Sequence, residues 1–375
     1  MISDNKRLYD LSTRIALYIE GVKVQQTREF NTVLFELSEV FKKLLGRVQY
    51  STLDGLSKAK LNKLVLELRK SQSEIYSRYT EKLLKQLEEF TAVALEVNRR
   101  VYASDAFLGL QNEDEISSLN DESALNFIIE ENEENGFVAL FGLPALISYK
   151  SQSAKTLQAT NNKVFTAGLN TPLAANGFYP IPFIKTFSNS AQAQTENIIR
   201  KGWANQATPA ETILELVGNP NQPVGLGSQI KRIRNQAAAV INTTMGHFSN
   251  IASAAVQSAL FGRYMWVSII DGSTTDICIS RNGKIYYYGS GPIPPAHIGC
   301  RSHITPFSIS NAKIDETYYT WISRQPAKIQ NDFLGKKIAD SLRVGELKAK
   351  DLSKHTASLP LTLKEFLGKV ESILT

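Results

Sequence analysis

Both cysteines of the chain, Cys278 and Cys300, and two of its four histidines, His297 and His303, fall between Trp266 and Phe307. Thiolate sulfur and imidazole nitrogen are the ligands that zinc takes, four at a time and tetrahedrally, in structural sites. Cys278, His297 and Cys300 supply three. His303, or a carboxylate from Asp271 or Asp276, is the candidate fourth, and a structural zinc ion is the candidate cofactor, with a metal-free site as its alternative. The spacing by itself is a weak signal, because the stretch holds no Cys-x-x-Cys pair. The alternative is a tied corner: two buried, reduced thiols side by side, His297 bonded to its loop, and Asp271 paired with Arg301 in a structural polar cluster. A third possibility is catalysis, by a Cys/His/Asp nucleophile or by a Cys/His metal-dependent enzyme of nuclease or toxin-like kind. Against it, no acidic metal cluster and no second acid–base pair accompany these residues. Gly289-Ser290-Gly291 also lacks the lysine of a phosphate-binding loop. The expectation is that the chain is not an enzyme.

Small elements must position these side chains. The sequence from Trp266 predicts a strand, a turn at Asp271-Gly272 and a polar link to Cys278. A hairpin at Asn282-Gly283 should follow, since both turn positions of such hairpins need positive φ. Then comes an aromatic strand over Lys284–Tyr288, and a Gly/Pro loop that delivers Pro294, Pro295, His297, Cys300 and Arg301.

The order of these residues carries a resemblance. Asp271, Thr274-Thr275, Cys278, Gly283-Lys284, Pro294-Pro295, His297, Cys300-Arg301-Ser302 and Pro306 resemble the shared block of the phage head morphogenesis family, the minor head proteins similar to protein F of phage Mu. Tyr319, Trp321-Ile322, Gln325-Pro326, Gln330, Leu334-Gly335, Gly345 and Leu361-Thr362-Leu363 resemble the tail that many such proteins carry. The resemblance runs over about 227–366 and is silent on the first two hundred or so residues. The chain departs from the pattern in two places. Ile241-Asn242-Thr243-Thr244 stands where relatives often have Arg-Thr-Glu. Ser280 and Ser302 stand where further cysteines would be expected. What the resemblance implies is a structural minor head protein of a tailed phage, a virion protein made in the host cytoplasm. Its implied partners are the portal protein, the major capsid or scaffold protein, and packaged double-stranded DNA without sequence reading. Its implied role lies in procapsid assembly and in DNA contact or ejection.

Composition sets outer bounds. With 375 residues there is room for two or three domains. Two cysteines do not make a disulfide framework and suit a reducing compartment. No apolar run is long enough to span a bilayer, so no membrane partner is expected. Charges at Asp4, Lys6, Arg7, Asp10 and Arg14 interrupt the N-terminus, so no secretory signal is expected either. The net charge of +6 is unevenly placed. Residues 111–135 hold nine acids and no Lys or Arg, leaving +15 on the rest. A basic body with an acidic belt fits a DNA or acidic-protein contact; it equally fits a solvated surface.

The predicted fold class is α+β: a long-helix N-terminal domain, an irregular middle and a C-terminal domain with a small β-element. Apolar residues at three-to-four spacing predict a helix over 4–45, with Gly21 inside the pattern weighing against one straight axis, and a second over 56–103, together an antiparallel hairpin. The expected divisions are a helical hairpin domain at 1–110, an acidic linker at 111–135, an irregular to helical middle at 136–226, the head-morphogenesis domain at 227–310 and a basic helical tail at 311–375. In the middle, FYPIPFIKTF reads as a loop or edge strand, because proline removes ladder donors. Thr208-Pro209-Ala210-Glu211 reads as a capping box with Pro at the first helical position. Lys231, Arg232 and Arg234 open a helix predicted from about Ser228 and are the DNA-contact candidates. The eleven Lys and Arg residues across 313–369 also fit phosphate contact.

Overall fold

The structure is a computed structural model and describes residues 4–102, 161–219, 228–270, 274–307, 316–348, 351 and 360–374. The expected acidic linker lies outside the described residues. The chain forms two compact units. Unit 1 takes Met1–Gln25, Leu87–Pro180 and Asn242–Thr375; unit 2 takes Gln26–Gln86 and Ile181–Ile241. The class is α+β, long helices with one small antiparallel sheet.

Unit 2 is all helix. It holds the end of α1 (Asp4–Glu29), α2 (Asn31–Leu45), the first half of α3 (Lys58–Tyr102), most of α5 (Pro180–Ala204), α6 (Pro209–Val217) and the start of α7 (Gln229–Gln257); α4 (Asn161–Leu169) belongs to unit 1. The break between α1 and α2 falls at Phe30, not at Gly21, which stays helical. Phe30 is fully buried and meets Tyr79 edge-on at 4.7 Å and Phe187 at 6.2 Å, and Tyr76 meets Phe187 at 5.8 Å. Glycine costs a helix only about 1 kcal/mol, so packing of an aromatic anchor decides where the axis changes. α2 and α3 run antiparallel as expected, with Glu36 paired to Arg78 and Glu29 to Lys82. The capping box at Thr208 forms as read, with Glu211 bonding back to the Thr208 backbone at 2.8 Å.

FYPIPFIKTF is helical from its third residue on, a correction to the loop or edge-strand reading. Pro180 is its first residue and Pro182 its third. The first N–H groups of a helix have no intrahelical acceptor, so prolines there lose nothing, and their fixed φ suits the first turn. The two prolines start α5 where they would break a strand.

Unit 1 is built around the sheet. Its strands β1 (Arg263–Val267), β2 (Ile285–Tyr287) and β3 (His303–Phe307) lie in the order β2-β1-β3, all antiparallel, with Tyr264 opposite both Tyr286 and Pro306. β1 is central and buried along Tyr264, Met265, Trp266 and Val267. Pro306 is tolerated because β3 is an edge. The Thr305 hydroxyl donates to Ser12 Oγ at 2.7 Å on α1, and Ser12 shares a hydrogen bond with Tyr102 Oη on α3. Tyr288 Oη donates to Gln257 Oε1 at 2.9 Å, and Gln257 Nε2 donates to Asn98 Oδ1 at 3.2 Å. These polar links fix the sheet on its helices.

The tail is part of this unit. Trp321, on α9 (Tyr318–Ser323), is fully buried and donates from Nε1 to Asp10 at 2.8 Å. Phe333 on α10 (Ala327–Leu334) packs on Tyr18, and α11 (Lys336–Arg343) follows. Lys369 on α12 (Leu363–Leu374) pairs with Asp332.

Candidate metal centre

The site begins at Trp266. Its backbone pairs with Gly283 and Lys284, at 2.8 and 2.9 Å, and its buried ring sits with Cys278 and Cys300 in one apolar cluster that Tyr286 and Ala296 complete. Arg281 lies over the ring at 5.1 Å. Cys278 is on α8 (Asp276–Arg281), a short helix where a polar link was expected. The Asn282-Gly283 pair joins that helix to β2, so it is not a hairpin between two strands. Asn282 has φ −56° and ψ 130°, Gly283 has φ 75°, and Lys284 N–H donates to Arg281 O at 3.0 Å. That is a type II turn, which needs positive φ only at its second central residue.

A serine relay holds α8 against the sheet. Trp266 Nε1 donates to Ser268 Oγ at 3.0 Å, and Ser268 Oγ bonds Cys278 O at 2.9 Å and shares a 2.9 Å bond with Ser302 Oγ. Ser302 Oγ reaches Cys278 Sγ at 3.3 Å. The Gly/Pro loop brings His297 and Cys300 from the other side, with a cis peptide between Pro294 and Pro295. Cys300 N–H donates to His297 O at 3.1 Å, and Gly299 N–H donates to Thr243 Oγ1 of α7 at 2.9 Å. Thr243 of α7 thus anchors the loop that carries His297 and Cys300. Neither Ser268 nor Thr243 is legible in the sequence as a site residue, since a single hydroxyl in a strand or helix carries no spacing signal.

The result is a cluster of three ligand atoms. Cys278 Sγ, one ring nitrogen of His297 and Cys300 Sγ all lie within 4.8 Å of one another and could hold a metal ion. The sulfurs are 3.6 Å apart. A disulfide holds them at about 2.05 Å, while two thiolates at about 2.3 Å from a tetrahedral zinc stand about 3.8 Å apart. Both cysteines are free and buried, and His297 is half-buried. His297 Nδ1 lies 3.0 Å from Ile298 O. A backbone carbonyl on one ring nitrogen fixes the tautomer that leaves the other for a metal. Without metal, the Cys278 thiol donates to Cys300 and, with help from Ser302 and the Ala296 backbone, holds Cys300 well below the usual thiol range. The same bond, together with burial, pushes Cys278 up.

The remaining expectations divide. His303 is not in the cluster, a correction to its place as fourth ligand. It sits on β3 opposite Val267, is buried, and neither ring nitrogen has a hydrogen-bond partner among the described residues. Burial, with a smaller contribution from Lys23, pushes its pKa down to about 3, so it is a neutral core side chain. Strand alternation explains the miss: the edge strand turns position 303 to the interior, away from the loop that carries Cys300. Asp276 is exposed in the first turn of α8. Asp271 lies outside the described residues, and with it the expected pair to Arg301, a half-buried residue. Of the DNA-contact candidates in unit 2, Arg232 is exposed while Lys231 and Arg234 are half-buried.

Comparison with family models, with curated proteins and with solved structures finds no match to this chain. No helix among the described residues is long and apolar enough to cross a membrane.

Proposed function

We propose that the chain is a structural minor head protein of a tailed phage, joined to the portal during procapsid assembly, and that a zinc ion held by Cys278, His297 and Cys300, with water in the fourth position, fastens its small β-element. The observation that carries this is the convergence of those three ligands on one turn-rich sheet. Cys278, His297 and Cys300, three of the residues that carry the head-morphogenesis resemblance, meet in space, and this supports the reading. The role is structural. Both cysteines are buried at 2% exposure, which suits a fastening and leaves little room for a substrate. Cys278 and Cys300 would supply thiolates, His297 a neutral imidazole, and the ion would add cross-linking between α8 and the ligand loop. Structural zinc contributes directly to folding stability. The major capsid or scaffold protein and packaged DNA are the further proposed partners.

Two measurements test this together. Co-expression with the portal protein of the same phage genome should give stoichiometric co-migration in gel filtration; a chain that elutes apart from portal, capsid and scaffold overturns the assembly reading. Elemental analysis should find about one zinc per chain, removed by chelation with destabilisation of unit 1. A metal-free chain whose unit 1 is indifferent to chelator overturns the zinc.

A further inference from the structure

The turn between α2 and α3 concentrates positive charge. Residues 42–63 carry Lys42, Lys43, Arg47, Lys58, Lys60 and Lys63 against a single acid, Asp54, and all six cations are exposed. The turn closes on the end of α5: Leu53 N–H donates to Ala207 O at 2.8 Å, and Trp203 Nε1 donates to Leu56 O at 2.9 Å. That closure brings Arg200 and Lys201, both exposed, to the same end of unit 2.

Neighbours account for three of these cations. Lys42 pairs with Glu39, Arg200 with Glu196, and Lys60 donates to Tyr50 Oη and lies over its ring. Lys43, Arg47, Lys58, Lys63 and Lys201 have no ion pair or hydrogen bond among the described residues. Helix stability does not explain them all. Lysines at the end of α2 suit the helix dipole, but Lys58, Lys60 and Lys63 open α3, whose first turn holds no acid, and there the sign is wrong. The fold therefore gathers like charges and, among the described residues, supplies counter-charge to only two of them.

We propose that this end of unit 2 binds the phosphate backbone of duplex DNA without reading sequence. Protein interfaces are depleted in lysine and centre on a desolvated apolar core. Here Leu53, Leu56 and Leu61 are all turned inward, at 0%, 8% and 2% exposure, so the surface offers mainly charge. Phosphate contacts need only exposed cations. The surface lies apart in sequence from Lys231, Arg232 and Arg234, and the inference does not rest on the head-protein reading: a chain that ignores the portal leaves it standing.

The test is anisotropy of a short labelled duplex with the full chain, repeated across salt concentrations. Replacing Lys43, Arg47, Lys58, Lys63 and Lys201 together with Gln should weaken binding by at least about tenfold and flatten the salt slope by about 0.9 for each phosphate left without its cation. The same lysines changed to Arg should retain binding, which separates removal of charge from failure to fold. Lys70→Gln with Lys85→Gln, two exposed lysines further along α3, should leave affinity and slope unchanged. A Gln set that binds like the parent overturns the proposal, as does a full chain with no affinity for the duplex. Preference for poly-glutamate over the duplex would also overturn it, giving the surface to an acidic protein.

Discussion

The two units bury different chemistry. Unit 2 fills its interior with Phe30, Phe41, Leu37, Tyr76 and Phe187, and the polar groups it buries are neutral, such as Gln72, Thr195 and Gln229. Unit 1 takes His247, His303, Lys23 and the two thiols inside, along with a chain of buried hydroxyls and amides. Buried polar groups are favourable only when matched, and an unmatched one costs about 1–3 kcal/mol. Unit 2 should therefore be stable over a broad range of conditions, with its charge kept outside. Unit 1 should depend on protonation, and on whatever its thiols hold.

The sharpest way to break this contrast is Trp266→Ala. The ring is fully buried and is the floor on which Cys278 and Cys300 rest. Removing it should cost about 3–5 kcal/mol, read as reduced hydrogen-exchange protection in β1 and β3 and little change in α2. An equal reduction in both units would erase the distinction between them.

Acid should act next. His247 is buried with one hydrogen bond, to Gly168 O at 3.0 Å, and burial lowers its pKa to about 4; His303 falls to about 3. Both stand below the ordinary 6.5, so the unfolded chain binds more protons in acid. The stability is fully present above 6.5 and is lost as pH falls toward the folded values. At pH 5 the loss is about 2 kcal/mol for each histidine. Denaturant titrations in metal-free buffer should show it, and His303→Leu, which removes no hydrogen bond, should remove about half the slope. A slope that His303→Leu leaves intact would clear this residue of the acid sensitivity.

The smallest effect sharpens the other side. Thr208→Ala removes the capping box of α6 and should cost about 1 kcal/mol, with faster exchange at the start of α6 and none in the sheet.

Periodicity and local chemistry make part of this legible from residue order alone. The stripe from Leu61 to Val97 predicts α3, and Thr208-Pro209-Ala210-Glu211 predicts a cap, because each depends on neighbours within a few positions. Cys278, His297 and Cys300 stand out as a cluster because few residue types ligate zinc. Tertiary context decides the rest. Phe30 interrupts the first helix because Tyr79 and Phe187 receive it. Pro180 and Pro182 start a helix because helix ends forgive missing donors. His303 has the right type but the wrong face. The basic end of unit 2 is invisible as a unit in the sequence, since Lys43, Lys63 and Lys201 come from three helices.

The bond from Thr305 to Ser12 spans most of the chain. Ribosomes deliver residues in order, so the first helix emerges long before the strand that ties to it. Unit 2 has all of its residues by Ile241, whereas unit 1 still awaits all three of its strands. During synthesis the earliest apolar stripe, from Leu8 to Val22, gains part of its cover, such as Phe333 on Tyr18, only with the last third of the protein. That interval is when a chaperone, or an early assembly partner, would find that part uncovered.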